Sequence, residues 1–244
     1  MTLQGLPAGS SLFREKLGMK ALQVALYLGL ILSSSLVQAG VVIGATRVVY
    51  DGGLRESSLS VSNPDKVPYL IQSWVDPQTA GSEKAPFILT PPLFRLEGGD
   101  KNVLRIVRLG GNLPKDRESL YWLNVKAIPS SENKDNTLQI AVNTRIKLIY
   151  RPEQLKDKSP EAVAGQLSWS RQGGKLRVNN PTPYYMNFQS VKIEGQEVRD
   201  ATYVAPFSSA DFALQEVKAG NAVSWIVIND FGGSGATLQG RLAG

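Results

Sequence analysis

The sequence predicts an all-β protein that contains two β-sandwiches. After residue 40, short runs of Val, Ile, Leu and aromatic residues alternate with Gly, Pro, Asn and Asp, the pattern of short strands joined by turns. We find no helical periodicity longer than two turns. The 244 residues leave room, after a leader segment, for two domains of about 100 residues each.

The candidate strands fall into two groups separated by a polar stretch. In the first half they span residues 46–50, 58–62, 69–75, 102–107, 121–127 and 138–150. In the second half they span residues 165–169, 175–178, 184–192 and 222–229. The stretch between the groups carries Pro152 and Pro160, so we expect a linker near residues 152–162. The predicted domains are therefore residues 40–158 and 159–244.

Residues 1–39 are predicted to be a signal peptide that is cleaved on export. Lys20 supplies the positive charge, residues 21–32 form the apolar core, and the triplet 37–39 (VQA) places small residues at the cleavage site. The apolar run is short for a membrane anchor, which is the alternative reading. Because Met19 directly precedes Lys20, residues 1–18 are a candidate upstream extension from a misassigned start codon. We therefore expect the mature chain to begin near Gly40, outside the cytoplasm.

The composition argues against several classes of function. The sequence contains neither Cys nor His, which excludes disulfides, thiol nucleophiles, Cys/His zinc sites and Ser-His-Asp triads. The formal net charge is +6, but Lys and Arg are scattered among acidic residues, so we do not expect nucleic-acid binding. Residues 232–236 (GGSGA) fail the nucleophile-elbow pattern. We expect a protein that is not an enzyme and has no cofactor or metal; a carboxylate or Ser-Lys hydrolase stays an alternative.

The segment 138–150 (LQIAVNTRIKLIY) is the most informative candidate strand. Leu138, Ile140 and Val142 alternate with polar or small residues, so three large apolar side chains share one face of an extended chain. An ordinary half-buried strand would show the same alternation.

Four motifs, in order along the chain, resemble the periplasmic pilus (fimbrial) chaperones of the chaperone–usher pathway, the PapD-like family. They are 113–129 (LPKDRESLYWLNVKAIP), 144–152 (TRIKLIYRP), 180–185 (NPTPYY) and 228–233 (INDFGG). The likeness covers essentially the whole mature chain. It implies two immunoglobulin-like β-sandwich domains in a boomerang arrangement, with a cleft between them.

The resemblance also implies a mechanism, in which a long edge strand of the chaperone completes the unfinished sandwich of a newly exported subunit. On this reading Leu138, Ile140 and Val142 fill the groove left by the missing strand of the subunit. Arg47 and Lys147 match the basic pair that holds the C-terminal carboxylate of the subunit. The implied partners are pilus subunits and an outer-membrane usher, and the exposed edge predicts a self-capping homodimer of the free protein.

Five further residues take roles from the resemblance. Glu118, Arg151 and Asp230 match an interdomain ion network, and Pro68 and Pro92 match a proline pair that bears on contact with the usher. The connection from residue 128 to residue 138 is short and polar, as in the short-loop branch that serves rod-like pili. We expect a periplasmic chaperone that uses no ATP. The alternative is a structural or adhesive immunoglobulin-like protein of the cell surface.

Overall fold

The computed structural model describes residues 40–130, 138–214 and 220–243. The predicted signal peptide, with its candidate extension 1–18, lies outside the described residues, as does most of the short connection before Leu138. Among the described residues no helix is long and apolar enough to cross a bilayer.

The first half of the described chain folds into nine strands. They are β1 (Val42–Ile43), β2 (Arg47–Asp51), β3 (Glu56–Ser62), β4 (Tyr69–Pro77), β5 (Phe87–Thr90), β6 (Leu93–Leu96), β7 (Lys101–Arg108), β8 (Ser119–Pro129) and β9 (Val142–Arg151).

The second half contributes eight strands and three short helical turns. The strands are β10 (Ser168–Gln172), β11 (Lys175–Asn180), β12 (Met186–Ile193), β13 (Gln196–Glu197), β14 (Tyr203–Val204), β15 (Ser208–Ala213), β16 (Ala222–Ile228) and β17 (Ser234–Arg241). The turns are a 3-10 helix at Glu153–Leu155, the helix α1 at Pro160–Val163 and a 3-10 helix at Ala164–Gln166.

The first sandwich packs a four-stranded sheet, ordered β1-β3-β7-β5, against a five-stranded sheet, ordered β2-β9-β8-β4-β6. The core lies between them because alternate residues of each strand point inward. On β3 these inward residues are Leu59 and Val61, and on β7 they are Leu104 and Ile106. The β2–β9 ladder is parallel, whereas the other ladders of these two sheets are antiparallel.

The second sandwich packs the sheet β10-β11-β15 against a sheet ordered β13-β12-β16-β17, with β14 added to β12. Trp169 and Trp225 are buried at its centre with ring centroids 5.4 Å apart. The helical turns after the linker belong to this core, because Val163, Ala164 and Leu167 are buried in it.

The all-β fold with two sandwiches is confirmed, and each predicted run overlaps a strand. Two predicted starts were wrong by more than two residues. The run predicted at 165–169 begins in the 3-10 helix Ala164–Gln166, and its strand, β10, starts at Ser168. The prediction extended a strand from Leu138, but β9 begins at Val142, and residues 138–141 lie outside any strand. The last pair of the β8–β9 ladder is Ala127 with Val142, so this ladder does not extend to residues 138–141.

Candidate functional site

Strand β9 presents two faces with different surroundings. Ile146, Leu148 and Tyr150 point into the core of the first sandwich. Lys147 and Arg151 belong to the opposite face, where both make contacts with the second sandwich. This division follows from the two-residue repeat of a strand and places Lys147 and Arg151 at the junction of the sandwiches.

The predicted basic pair is brought together by the parallel ladder. Arg47 of β2 is the register partner of Lys147 of β9, so two like charges are neighbours on adjacent strands. Burial lowers the pKa of Lys147 to about 8, and the charge of Arg47 contributes to this shift. Burial also lowers the pKa of Arg47, partly offset by Asp230. Nε of Arg47 is buried and has no hydrogen-bond partner. The pair therefore forms a positively charged site in which the Nε–H donor of Arg47 has no hydrogen-bond acceptor among the described residues.

Lys147 is held from the side of the second sandwich. Its ammonium donates a hydrogen bond to Oδ1 of Asn187 and lies 4.6 Å from the ring centroid of Tyr203. Asn187 and Tyr203 are register partners on the β12–β14 ladder. Sequence reasoning missed both residues, because neither belongs to a spacing that carries a recognisable chemistry.

Glu118, Arg151 and Asp230 form one ion cluster across the two sandwiches. Nε of Arg151 donates to Oε1 of Glu118 at 2.7 Å, while its two terminal nitrogens donate to the two carboxylate oxygens of Asp230 at 2.6 and 2.8 Å. Oε2 of Glu118 accepts the backbone N–H of Tyr185 at 2.7 Å. The cluster therefore ties the first sandwich to the second at two points, one from β9 and one from the residue before β8.

Glu118 is the most buried member of the cluster, at 2% exposure. One guanidinium cannot neutralise two carboxylates, and Asp230 takes the bidentate contact with Arg151. Burial accordingly raises the pKa of Glu118 to about 7, against the lowering effects of Arg151 and the Tyr185 N–H.

The loop after β16 is fixed against the first sandwich. Asp230 binds Arg151, and Gly232 adopts a φ of +87° that favours glycine. A Cβ atom at Gly232 would collide with the hydroxyl of Thr46, the residue that precedes Arg47. The loop thus closes one wall of the cleft beside the basic pair.

The three predicted groove-filling residues are exposed. Leu138, Ile140 and Val142 are 85%, 66% and 58% exposed, which is unusual for aliphatic side chains so close together. The edge beside them is open as well. Within the described chain, β2 pairs with β9 only from Lys147 onward, so the outer backbone groups of Val142–Ile146 have no strand partner. Apolar side chains and unpaired backbone groups together form a surface suited to strand addition.

Family comparisons decide the identity of the chain. The model described as "Pili and flagellar-assembly chaperone, PapD N-terminal domain" matches residues 40–156. The model described as "Pili assembly chaperone PapD, C-terminal domain" matches residues 162–238. The chain belongs to the PapD family of pilus-assembly chaperones.

Individual relatives agree with the PapD-family assignment. The chain is 48% identical over 220 residues to the probable fimbrial chaperone LpfB of Escherichia coli O157:H7, covering 88% of this chain and 94% of that protein. The SafB chaperone in complex with the SafA pilin of Salmonella enterica aligns with a TM-score of 0.77 and 43% identity, over 83% of this chain and 96% of that one. The periplasmic chaperone SfaE aligns with a TM-score of 0.70 and 38% identity, over 83% and 100%.

The two prolines that the PapD resemblance singled out are not brought together. Pro68 precedes β4, whereas the carbonyl of Pro92 accepts a hydrogen bond from the N–H of Ser73 at 2.8 Å. Ser73 lies five residues after Pro68 along the extended chain, so about 17 Å separates Pro68 from the point where Pro92 contacts β4. Their role in usher contact stays a prediction.

The described residues of this PapD-family chain contain no group of three or more His, Cys, Asp or Glu side chains placed to hold a metal ion.

Proposed function

We propose that this chain is a periplasmic chaperone that binds, folds and caps pilus subunits by donor-strand complementation and delivers them to an outer-membrane usher. One observation supports this proposal above the others: an open strand edge with three exposed aliphatic side chains lies next to a paired-cation site. The SafB–SafA complex, formed by a relative, supports a pilin as the class of partner. The predicted signal peptide and the name of the relative SfaE support the periplasm.

The apolar residues of the edge supply most of the affinity in this proposal. Burial of Leu138, Ile140 and Val142 in a subunit groove contributes about 1.5–3 kcal/mol per side chain. Each new backbone hydrogen bond along Val142–Ile146 adds about 0.5–1.5 kcal/mol. The cost of ordering residues 138–141 and the subunit strand opposes both gains.

The basic pair sets the register. A C-terminal carboxylate is a suitable ligand for Arg47 and Lys147, because it offers two acceptor oxygens and cancels the repulsion between two neighbouring cations. A shift of one residue would turn every groove-filling side chain to the wrong face, so a fixed end point for the subunit strand prevents incorrect pairing.

Calorimetry with a synthetic peptide tests the proposal. The peptide reproduces the C-terminal segment of a fimbrial subunit encoded beside this protein, once with a free carboxylate and once as the amide. We expect the acid to bind at least about tenfold more tightly than the amide, and Lys147→Ala to remove this preference. Lys101→Ala, at an exposed lysine of β7, is the matched control and should retain it. Equal binding of acid and amide to the unmodified protein would overturn the anchor.

A further inference from the structure

The side chain of Lys147 is shared between the two sandwiches. Its backbone belongs to β9 of the first sandwich, but the contacts of its ammonium with Asn187 and Tyr203 come from the second. Because an ammonium group only donates hydrogen bonds, the atom of Asn187 that faces it is the amide oxygen. Asn187 itself is buried, so its side chain is held in place.

The side chain of Tyr203 is held by a hydrogen bond from Gln78 of the first sandwich. Nε2 of Gln78, which follows β4, donates to the Tyr203 hydroxyl at 3.1 Å. The hydroxyl of Tyr185 donates to Oε1 of the same glutamine at 3.0 Å. The rings of Tyr185 and Tyr203 also pack with centroids 6.0 Å apart. The aromatic face below Lys147 is therefore positioned by residues of both sandwiches.

We propose that Asn187, supported by Tyr203, is a positioning residue that holds the Lys147 ammonium beside Arg47, so that the carboxylate anchor is complete only when the second sandwich is docked. This inference rests on the proposed carboxylate anchor and assigns part of it to residues outside the basic pair.

Repulsion explains why such a residue is needed. Arg47 and Lys147 carry like charges in register, and lysine has a flexible four-carbon stem that could swing away from the arginine. The oxygen of Asn187 and the face of Tyr203 both attract a cation, so they offset the repulsion in the free protein. An ammonium has three N–H donors, and the contact with Asn187 uses one of them. The remaining donors stay available to an arriving carboxylate, with the side chain already ordered.

The test uses the acid and amide peptides with two variants. Asn187→Ala should weaken binding of the acid by roughly 3- to 10-fold and leave binding of the amide unchanged, since only the acid engages the ammonium. Asn187→Asp places a carboxylate against Lys147, which competes with the peptide, so it should reduce the acid preference further. Asn179→Ala is the matched control. Asn179 is an exposed residue of β11 whose side-chain oxygen accepts a hydrogen bond from Ser209, and its replacement should change neither affinity.

The outcomes separate this inference from the anchor itself. If the unmodified protein shows no acid preference, the anchor proposal fails. If the preference exists and Asn187→Ala retains it, or weakens acid and amide equally, Asn187 has no positioning role and the inference is overturned. Should Asn187→Ala fold poorly, the pKa of Lys147, followed by NMR in Tyr203→Phe and Tyr203→Leu, provides a second readout. Loss of the ring in Tyr203→Leu should lower that pKa, because the ring face stabilises the charged ammonium. Tyr203→Phe loses the contact with Gln78 but keeps the ring packed against Tyr185, so it should lower the pKa less; equal values in both variants would also contradict the inference.

Discussion

Lys147 and Arg151 lie four residues apart on the same face of β9, and the side chain of each donates hydrogen bonds to one residue of the second sandwich, Asn187 for the lysine and Asp230 for the arginine. The two cations differ in how far their charge is neutralised by neighbouring groups. Arg151 is matched by two carboxylates, whereas Lys147 faces a neutral amide and a second cation. We therefore expect changes at Arg151 and its partners to affect stability, and changes at Lys147 to affect binding.

Asp230→Ala should destabilise the protein. The substitution leaves Arg151, a buried guanidinium, with one carboxylate and should lower the free energy of unfolding by about 2–4 kcal/mol, measured by urea denaturation. Asp211→Ala is the matched control, because Asp211 makes a bidentate contact of similar length with Arg177 in a more exposed position, where its loss should cost much less. Equal losses in the two variants would contradict the buried ion cluster.

Glu118 should make stability depend on pH. Its folded pKa, about 7, exceeds the ordinary value of 4.5, so its favourable contribution is complete below about pH 4.5 and is lost as the pH rises through 7. Glu118→Gln does not titrate. The melting temperature of the unmodified protein, relative to Glu118→Gln, should therefore be higher at pH 5 than at pH 8. A difference that does not change with pH would rule out a raised pKa.

Lys147→Met should stabilise the free protein while removing the anchor. The folded pKa of Lys147 lies below its ordinary value of 10.5, so burial of the charged form costs stability at neutral pH. Loss of the hydrogen bond to the buried Asn187 offsets part of this cost. We therefore expect a gain of about 1 kcal/mol at pH 7, which should shrink toward pH 10 as the lysine of the unmodified protein loses its proton. Thermal melts at both pH values measure this. Lys101→Met, at an exposed site, should show no gain; a destabilised Lys147→Met would refute the expectation.

The preference for the peptide acid should fall at alkaline pH. Lys147 loses its charge as the pH rises through about 8, while the peptide carboxylate stays ionised. Calorimetry at pH 7 and pH 9.5 should show the acid and amide affinities converging. In Lys147→Arg the side chain keeps its charge over this pH range, so any preference of this variant for the acid over the amide should not decline. A constant preference in the unmodified protein would indicate that Lys147 does not contact the carboxylate.

Ile140→Glu should abolish any dimer of the free protein without unfolding it. Ile140 is exposed, so its replacement should change the free energy of unfolding by less than about 0.5 kcal/mol, yet a charge on the open edge opposes pairing of two copies. Light scattering across a concentration series measures the dimer. Val103→Glu alters an exposed aliphatic residue of the other sheet and should leave the association unchanged. A dimer that persists in Ile140→Glu does not use this edge.

Most of the longer strands could be predicted from their hydrophobic pattern, whereas the four-residue strands β5 and β6 were missed although they contain Phe, Ile and Leu. Alternation alone located β3, β7 and β8, because their inward residues are large and their turns contain Gly, Pro or Asn. The same rule missed β15 and β17, which are poor in aliphatic residues and are held largely by pairing with β11 and β16. It also extended β9 too far, because the pattern at Leu138 and Ile140 does not reveal where the neighbouring strand stops pairing.

The candidate site was predictable only where a family motif carried it. Glu118, Arg151 and Asp230 form an ion cluster, as the family motif implied. Arg47 and Lys147 are register partners on adjacent strands, which places both cations in one site. Asn187, Tyr203 and Gln78 were not predictable, since a neutral amide or a phenol has no local signature. Their contacts depend on how the two sandwiches dock, which no periodicity within one strand records.

The parallel ladder of β2 and β9 ends at Lys147, and this fixes a distance scale along the open edge. Val142, Ile140 and Leu138 stand five, seven and nine residues before the lysine. A strand that ends at the basic pair therefore meets the first aliphatic side chain about 17 Å from its terminal carboxylate. The distance along the edge is counted from the terminal carboxylate of the subunit strand. A subunit strand that is one residue too long or too short would therefore turn the wrong face toward Val142, Ile140 and Leu138. Selection of subunits by this chain would then depend on the length and alternation of their final strand as much as on its composition.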